Sequence, residues 1–195
     1  MLMPNNSMQR TTLRAAADAG RWTSNVKGYA ALTVACWLTC FAATAGEPRR
    51  TPAVYEKVDT FVNEPLATGN PHSLAGLRKL GRVRSEKVVV VDNRHEPTQK
   101  DEIRTMEFDG LVIEAYFPAR DYDNGFVTRI VISTPTWKLR HGLAVGAAAK
   151  DVEGALGQPD ERSTGQIKYC GDTTCGTFFI REGRVREVLF EGSVD

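Results

Sequence analysis

Residues 103–117 read IRTMEFDGLVIEAYF, and their reading decides the fold. Asp109-Gly110 stands between two segments in which apolar and polar residues alternate, the strongest short-range signal for a β-hairpin. A two-residue type I′ turn is expected there, because Asp and Gly both tolerate positive φ. Working outward, Tyr116-Phe117 leads through Pro118 and the loop ARDYDNG into another strand, Phe126 to Ser133. Upstream, Glu86 to Val91 (EKVVVV) is a β-branched strand, followed by the polar loop DNRHEPTQKD. Together these segments predict an antiparallel meander.

Beyond the meander, Ala147 to Leu156 has helical spacing, with Ala148, Val152, Ala155 and Leu156 on one face and Lys150 and Glu153 on the other. Gly157 and Pro159 end it. Gln166 to Cys170, Cys175 to Ile180 and Arg184 to Phe190 read as three more strands, the last two turned by Glu182-Gly183. Before the first strand, Ser73 caps a short helix carrying Leu74, Leu77 and Leu80, which Gly81 ends. The shared Leu80-Gly81 and Leu156-Gly157 pairs give a faint common plan of two helix-plus-strands halves. The expected class is therefore α+β, antiparallel meanders with short helices packed on one sheet face.

The chain has 195 residues, 42% apolar and 25% charged, with a formal charge of +1. Such proportions exclude a disordered or collagen-like chain, and the charge argues against a nucleic-acid binder. Gly28 to Ala45 contains no charged residue, follows Arg10, Arg14, Arg21 and Lys27, and ends in Ala43-Thr44-Ala45. That layout is a secretory signal peptide, with cleavage between Ala45 and Gly46. A retained anchor and a lipid-modified cysteine at Cys36 or Cys40 are the alternatives. Cleavage leaves 21 positive and 23 negative residues, a mildly acidic chain with no membrane span. The expected organisation is a signal peptide over 1–45, an arm or linker over 46–72, and a single domain over 73–195. The periplasm or the cell exterior is the expected destination.

Two cysteines survive cleavage, Cys170 and Cys175 in KYCGDTTCGTF. An even number in an exported chain reads as a disulfide. Their spacing lacks the tighter Cys-x-x-Cys of redox enzymes, and no second pair lies at zinc-finger distance.

Gly142 to Pro159, with Gly146, Val152, Leu156-Gly157 and Pro159, resembles a recurring segment of small bacterial envelope proteins. It is similar to the SmpA/OmlA outer-membrane assembly lipoproteins and to modules shaped like the β-lactamase inhibitor protein. The whole mature chain resembles an uncharacterised proteobacterial periplasmic family. Ala148 stands where the lipoprotein family has a Ser or Thr cap, no lipid-attachment cysteine opens the mature chain, and a strand-rich half precedes the segment. The resemblance implies a module that binds other proteins, and it carries no catalytic residue across.

Three histidines are present, His72, His95 and His141. His95 shares its loop with Arg94, Glu96, Lys100, Asp101 and Glu102, so Arg94, His95 and Asp101 form the candidate site. A His beside carboxylates can act as a general base or metal ligand; a solvated polar loop is the plainer reading. No HExxH, Walker, nucleophile-elbow or EF-hand pattern occurs, and Asp121-Tyr122-Asp123-Asn124 lacks the spacing of a calcium loop. No catalytic, cofactor or metal residue is assigned. The expected function is an exported, non-catalytic binding or structural module whose partner is another envelope protein. The alternatives are a small hydrolase or metal-dependent enzyme using the His95 loop, or an inhibitor of a secreted hydrolase.

Overall fold

The computed structural model describes residues 50–192. The leader, the cleavage position Ala45/Gly46 and the cysteines Cys36 and Cys40 lie outside the described residues. Eight strands form one antiparallel sheet in the order β1-β2-β3-β4-β8-β7-β6-β5. They are β1 Ser85–Asp92, β2 Lys100–Phe108, β3 Leu111–Phe117, β4 Phe126–Ile132, β5 Glu161–Ser163, β6 Gln166–Cys170, β7 Thr174–Arg181 and β8 Arg184–Gly192. Three α-helices accompany them among the described residues: α1 Pro52–Asn63, α2 Leu74–Arg78 and α3 Ala149–Leu156.

This corrects the α+β expectation. The fold is dominated by a single sheet, and its helices span only 12, 5 and 8 residues. Separate helix-plus-strands halves are not formed either, because β4 and β8 pair through Ile130↔Phe190 and Ile132↔Val188 and merge all strands. Short caps and Leu-Gly stops give helices a clear local signature, whereas the pairing that joins distant strands has none.

The two-residue loop at Asp109-Gly110 is present, with Phe108 opposite Leu111. Its geometry differs from type I′: Gly110 has φ 73° while Asp109 stays in the ordinary region. A Cβ on Gly110 would lie 2.2 Å from Thr134 Oγ1, so glycine is required for space as well as for φ. Positive φ at both loop positions occurs instead at Glu182-Gly183 (54° and 72°).

Register assigns each strand residue to a face. Met106, Phe108, Leu111, Ile113, Phe117, Ile130, Ile132, Ile167, Tyr169, Phe178, Val188 and Phe190 alternate inward and form the core. The stretch read as an arm contributes α1 to that core. Pro52 opens the helix, where its missing N–H costs nothing, and Val58, Phe61 and Val62 turn one face inward. Phe61 stacks on Phe178 at 6.1 Å and meets Phe190 edge-on at 5.7 Å. In α3, Val152 and Leu156 are buried, and Gly157 (φ 84°) leaves the helix with its N–H donating to Glu153 O at 2.8 Å. Ala148 has no oxygen to offer a cap, but its own N–H donates to Asp151 Oδ2 at 3.3 Å.

Candidate binding face

The sequence singled out Arg94, His95 and Asp101; the fold places the first two in an exposed loop and the third in a buried strand position, with Asn93 bonded to both the His95 N–H and the Asp101 carboxylate. Arg94 and His95 are exposed in the β1–β2 loop, where Asn93 Oδ1 accepts the backbone N–H of His95 at 2.9 Å and of Glu96 at 2.8 Å. Asp101 is not a loop residue: it lies in β2 and is fully buried. Its carboxylate accepts from the Tyr116 hydroxyl, from Ala119 N–H at 2.7 Å and from Asn93 Nδ2 at 3.0 Å. Burial alone would raise its pKa, but the bonds from Tyr116, Ala119 and Asn93 outweigh it and hold the carboxyl below its ordinary value. Asp101 thus anchors the turn at Pro118–Arg120, in which Ala119 and Arg120 take φ of 48° and 59°. Such backbone persists only where its surroundings over-determine it.

Glu102 points to the opposite face of β2, into a closed ionic cluster. Its carboxylate accepts from Arg104 at 2.6 and 2.9 Å and from the Tyr122 hydroxyl at 3.1 Å, with Arg120 at 3.3 Å. Arg104 also bonds Glu86, which Arg78 holds at 2.9 Å, and its guanidinium lies 5.0 Å from the Tyr122 ring centre. Burial pushes the Glu86 carboxyl up, yet Arg78 and Arg104 bring it below its usual range. Among the described residues no three His, Cys, Asp or Glu side chains are grouped as metal ligands would be.

The other histidines stand apart. His72 offers its backbone O to Gly125 N–H at 2.6 Å, and His141, at φ 59°, stacks its ring on Phe61 at 5.9 Å. Burial, Lys57 and Arg140 lower the His141 pKa. Asp121 accepts from Asp123 N–H at 3.0 Å and Asn124 Nδ2 at 2.8 Å, a side-chain turn that explains the calcium-like run. Trp137 packs edge-on against Phe108 and donates to Asp109 O at 2.8 Å, closing the hairpin end of the core. Cys170 and Cys175 face each other across β6 and β7 with Sγ atoms at bonding distance.

Sequence reasoning missed the outer face of β1–β4. Register aligns Val89, Ile103, Tyr116 and Phe126 in one row across four strands, on the side away from the core. Phe126 is 57% exposed and Val89 41%, while Ile103 and Tyr116 are half-buried. The neighbouring row is polar and charged: Glu114 accepts from the Thr128 hydroxyl at 3.1 Å, and Arg129 pairs with Glu191 at 3.3 Å, while Lys87 makes no ion pair among the described residues. Asp101 fixes the Tyr116 hydroxyl, so the ring is held in place within the row. The available signal was the alternation itself, since Ile103, Tyr116 and Phe126 occupy positions that an exposed sheet face fills with polar residues.

No helix among the described residues is long and apolar enough to cross a membrane. No family model and no curated protein matches the chain. Among solved structures, the crystal structure of the uncharacterized protein yfeY from Escherichia coli is similar, with 10% identity and a TM-score of 0.35 over 66% of this chain and 97% of that one.

Proposed function

We propose that the chain is an exported, non-catalytic binding module of the bacterial envelope whose contact surface is the outer face of β1–β4. The carrying observation is the row Val89–Ile103–Tyr116–Phe126, an ordered apolar stripe that nothing among the described residues covers. Aromatic anchors flanked by satisfied polar groups are what a protein partner buries. The partner chemistry is a protein presenting apolar side chains, since the row itself is apolar over four strands. The closed bonding of Asp101 and Glu102 supports this reading over a hydrolase, because a general base or metal ligand needs lone pairs free for substrate or ion. Export is supported by the leader sequence and by the Cys170–Cys175 pair, whose formation suits an oxidising compartment.

The test is capture from envelope extract by wild type and by Phe126→Thr. A partner retained by wild type and lost at least tenfold with the variant, at unchanged fold, supports the reading. Equal retention overturns it. So does a hydrolytic activity of the wild type that His95→Ala removes while the fold stays intact.

A further inference from the structure

Of the sheet's two edge strands, β5 is three residues long and polar, and β1 carries a second surface. β1 bonds only to β2 among the described residues, and its run Val88-Val89-Val90 is 42%, 41% and 49% exposed. Edge strands in natural proteins are shielded by charges, prolines, bulges or brevity. Between Lys87 and Asp92, β1 has none of these: it is regular over eight residues and apolar on both faces. We infer that β1 pairs with β1 of a second copy of this chain, antiparallel about a two-fold axis at Val89, to give one continuous sheet.

Three observations fix the partner and the register. The first is the direction of the free backbone groups. Asn93 N–H donates to Gln99 O, and the same register runs on through Val91↔Asp101 and Val89↔Ile103. In an antiparallel ladder alternate residues bond to the same neighbour, so odd-numbered residues of β1 bond β2, and Glu86, Val88, Val90 and Asp92 present N–H and C=O outward. A two-fold axis at Val89 sets Val88 against Val90 of the copy and Glu86 against Asp92 of the copy. Every outward group from 86 to 92 then finds a partner.

The second observation is side-chain matching. Antiparallel two-fold pairing keeps each face continuous and requires opposed residues of like parity. An axis at Val88 opposes valine to valine once; axes at Val89 and Val90 do so three times. The axis at Val90, however, sets Val88 against Asp92 and carries Glu86 past the end of β1, whereas the axis at Val89, with Lys87 against Val91, keeps all four outward residues opposed within the strand. The facing carboxylates add no unbalanced charge, because Glu86 is held by Arg78 and Arg104 and Asp92 by Lys100 of its own chain.

The third is continuity with the outer face. Val89 ends the row Val89–Ile103–Tyr116–Phe126. Pairing Val89 with its symmetry mate joins two such rows end to end, so the dimer presents one apolar stripe of double length. A second copy supplies this match from its own β1. The edge inference stands independently of the partner proposed for that face.

The experiment is sedimentation of the protein as recovered from the cell, from about 1 µM to about 1 mM, a range that brackets a micromolar dimer. Wild type should pass from one chain to two. Val90→Pro removes an outward N–H and no bond to β2, a substitution that edge strands admit. It should raise the dimer dissociation constant at least tenfold, with the thermal midpoint of the dilute protein unchanged. Val89→Cys supplies a reading of register: residues at the axis form a non-bonded pair with Cα atoms about 4.5 Å apart, within disulfide reach. Mild oxidation should cross-link Val89→Cys beyond the wild-type background, and Val88→Cys should not respond. A single-chain mass at every concentration overturns self-pairing and leaves the edge to an extended segment of another protein. Dimerisation unaffected by Val90→Pro overturns it too, assigning the contact to another surface.

Discussion

In β6–β8, Tyr169, Phe178 and Phe190 form an aromatic cluster with Phe61 of α1, and Cys170–Cys175 ties β6 to β7. In β1–β4 and its β3–β4 loop, Val88, Val89, Val90, Tyr122 and Phe126 are all exposed, and among the described residues only Tyr55 of the exposed large apolar residues lies elsewhere. Both stretches turn their inner face into the same core; one is also cross-linked at its end, and the other leaves an apolar edge and an apolar outer row uncovered. The difference separates two uses of apolar surface. Where it is covered it holds the fold, and where it is ordered but uncovered it is available for contact.

The sharpest way to break that contrast is truncation. Phe178 is 1% exposed, meets Phe61, Tyr169 and Phe190, and sits where strand and helix cores join. Phe178→Ala should cost about 3–5 kcal/mol through lost transfer energy and the cavity left behind. Val89→Ala in β1 should cost below about 1 kcal/mol, because much of its surface is already in water. Denaturant melts of both variants check the pair, and equal costs would abolish the distinction.

Reduction of Cys170–Cys175 comes next. The bridge closes so short a loop that it should contribute less than the roughly 3 kcal/mol of a fifteen-residue loop. Melts with and without reductant should show a loss smaller than that of Phe178→Ala. In a chain processed after Ala45, thiol labelling under denaturing, non-reducing conditions should find no free cysteine.

The two stretches also differ in how far they are legible in sequence. The hairpin at 103–117 is written locally, and Val152 with Leu156 declares the buried face of α3 through spacing alone. The four valines of β1 announce a strand, but a run apolar on both faces looks the same at a buried centre and at a bare edge. Only the absence of a neighbour distinguishes them. Asp101 was hidden differently. It follows a polar run that reads as loop, while the groups that bury it, Asn93, Tyr116 and Ala119, lie 8, 15 and 18 positions away. The outer row is a product of register across β1–β4, so no single segment contains it.

Acid should sharpen the comparison from the other side. Asp101 and Glu86, both in β1–β2, have folded-state pKa values below their ordinary ones. Their stabilisation is therefore fully present above the unfolded carboxylate range, about pH 4, and is lost as pH falls through the lower folded values. Amide exchange compared at about pH 6 and about pH 3 should show β1–β2 losing protection first. Protection lost evenly along all eight strands would mean that these carboxylates do not support the open stretch in particular.

The smallest expected effect decides what the open stretch is for. Phe126 is 57% exposed and lies opposite Tyr116 at the end of the outer row. Its ring removes little of its own surface from water, so shortening it forfeits little transfer energy. Phe126→Thr retains a residue suited to an exposed strand, so the unfolding free energy should stay within about 0.5 kcal/mol of wild type. Binding follows different arithmetic: an aromatic anchor that a partner desolvates loses about 2 kcal/mol or more when truncated, a factor of about thirty in affinity. A variant that melts like wild type and no longer holds its partner separates contact from stability at one side chain. A fall of about 2 kcal/mol in the melt would instead make Phe126 a core residue, and the open stretch would then be covered after all.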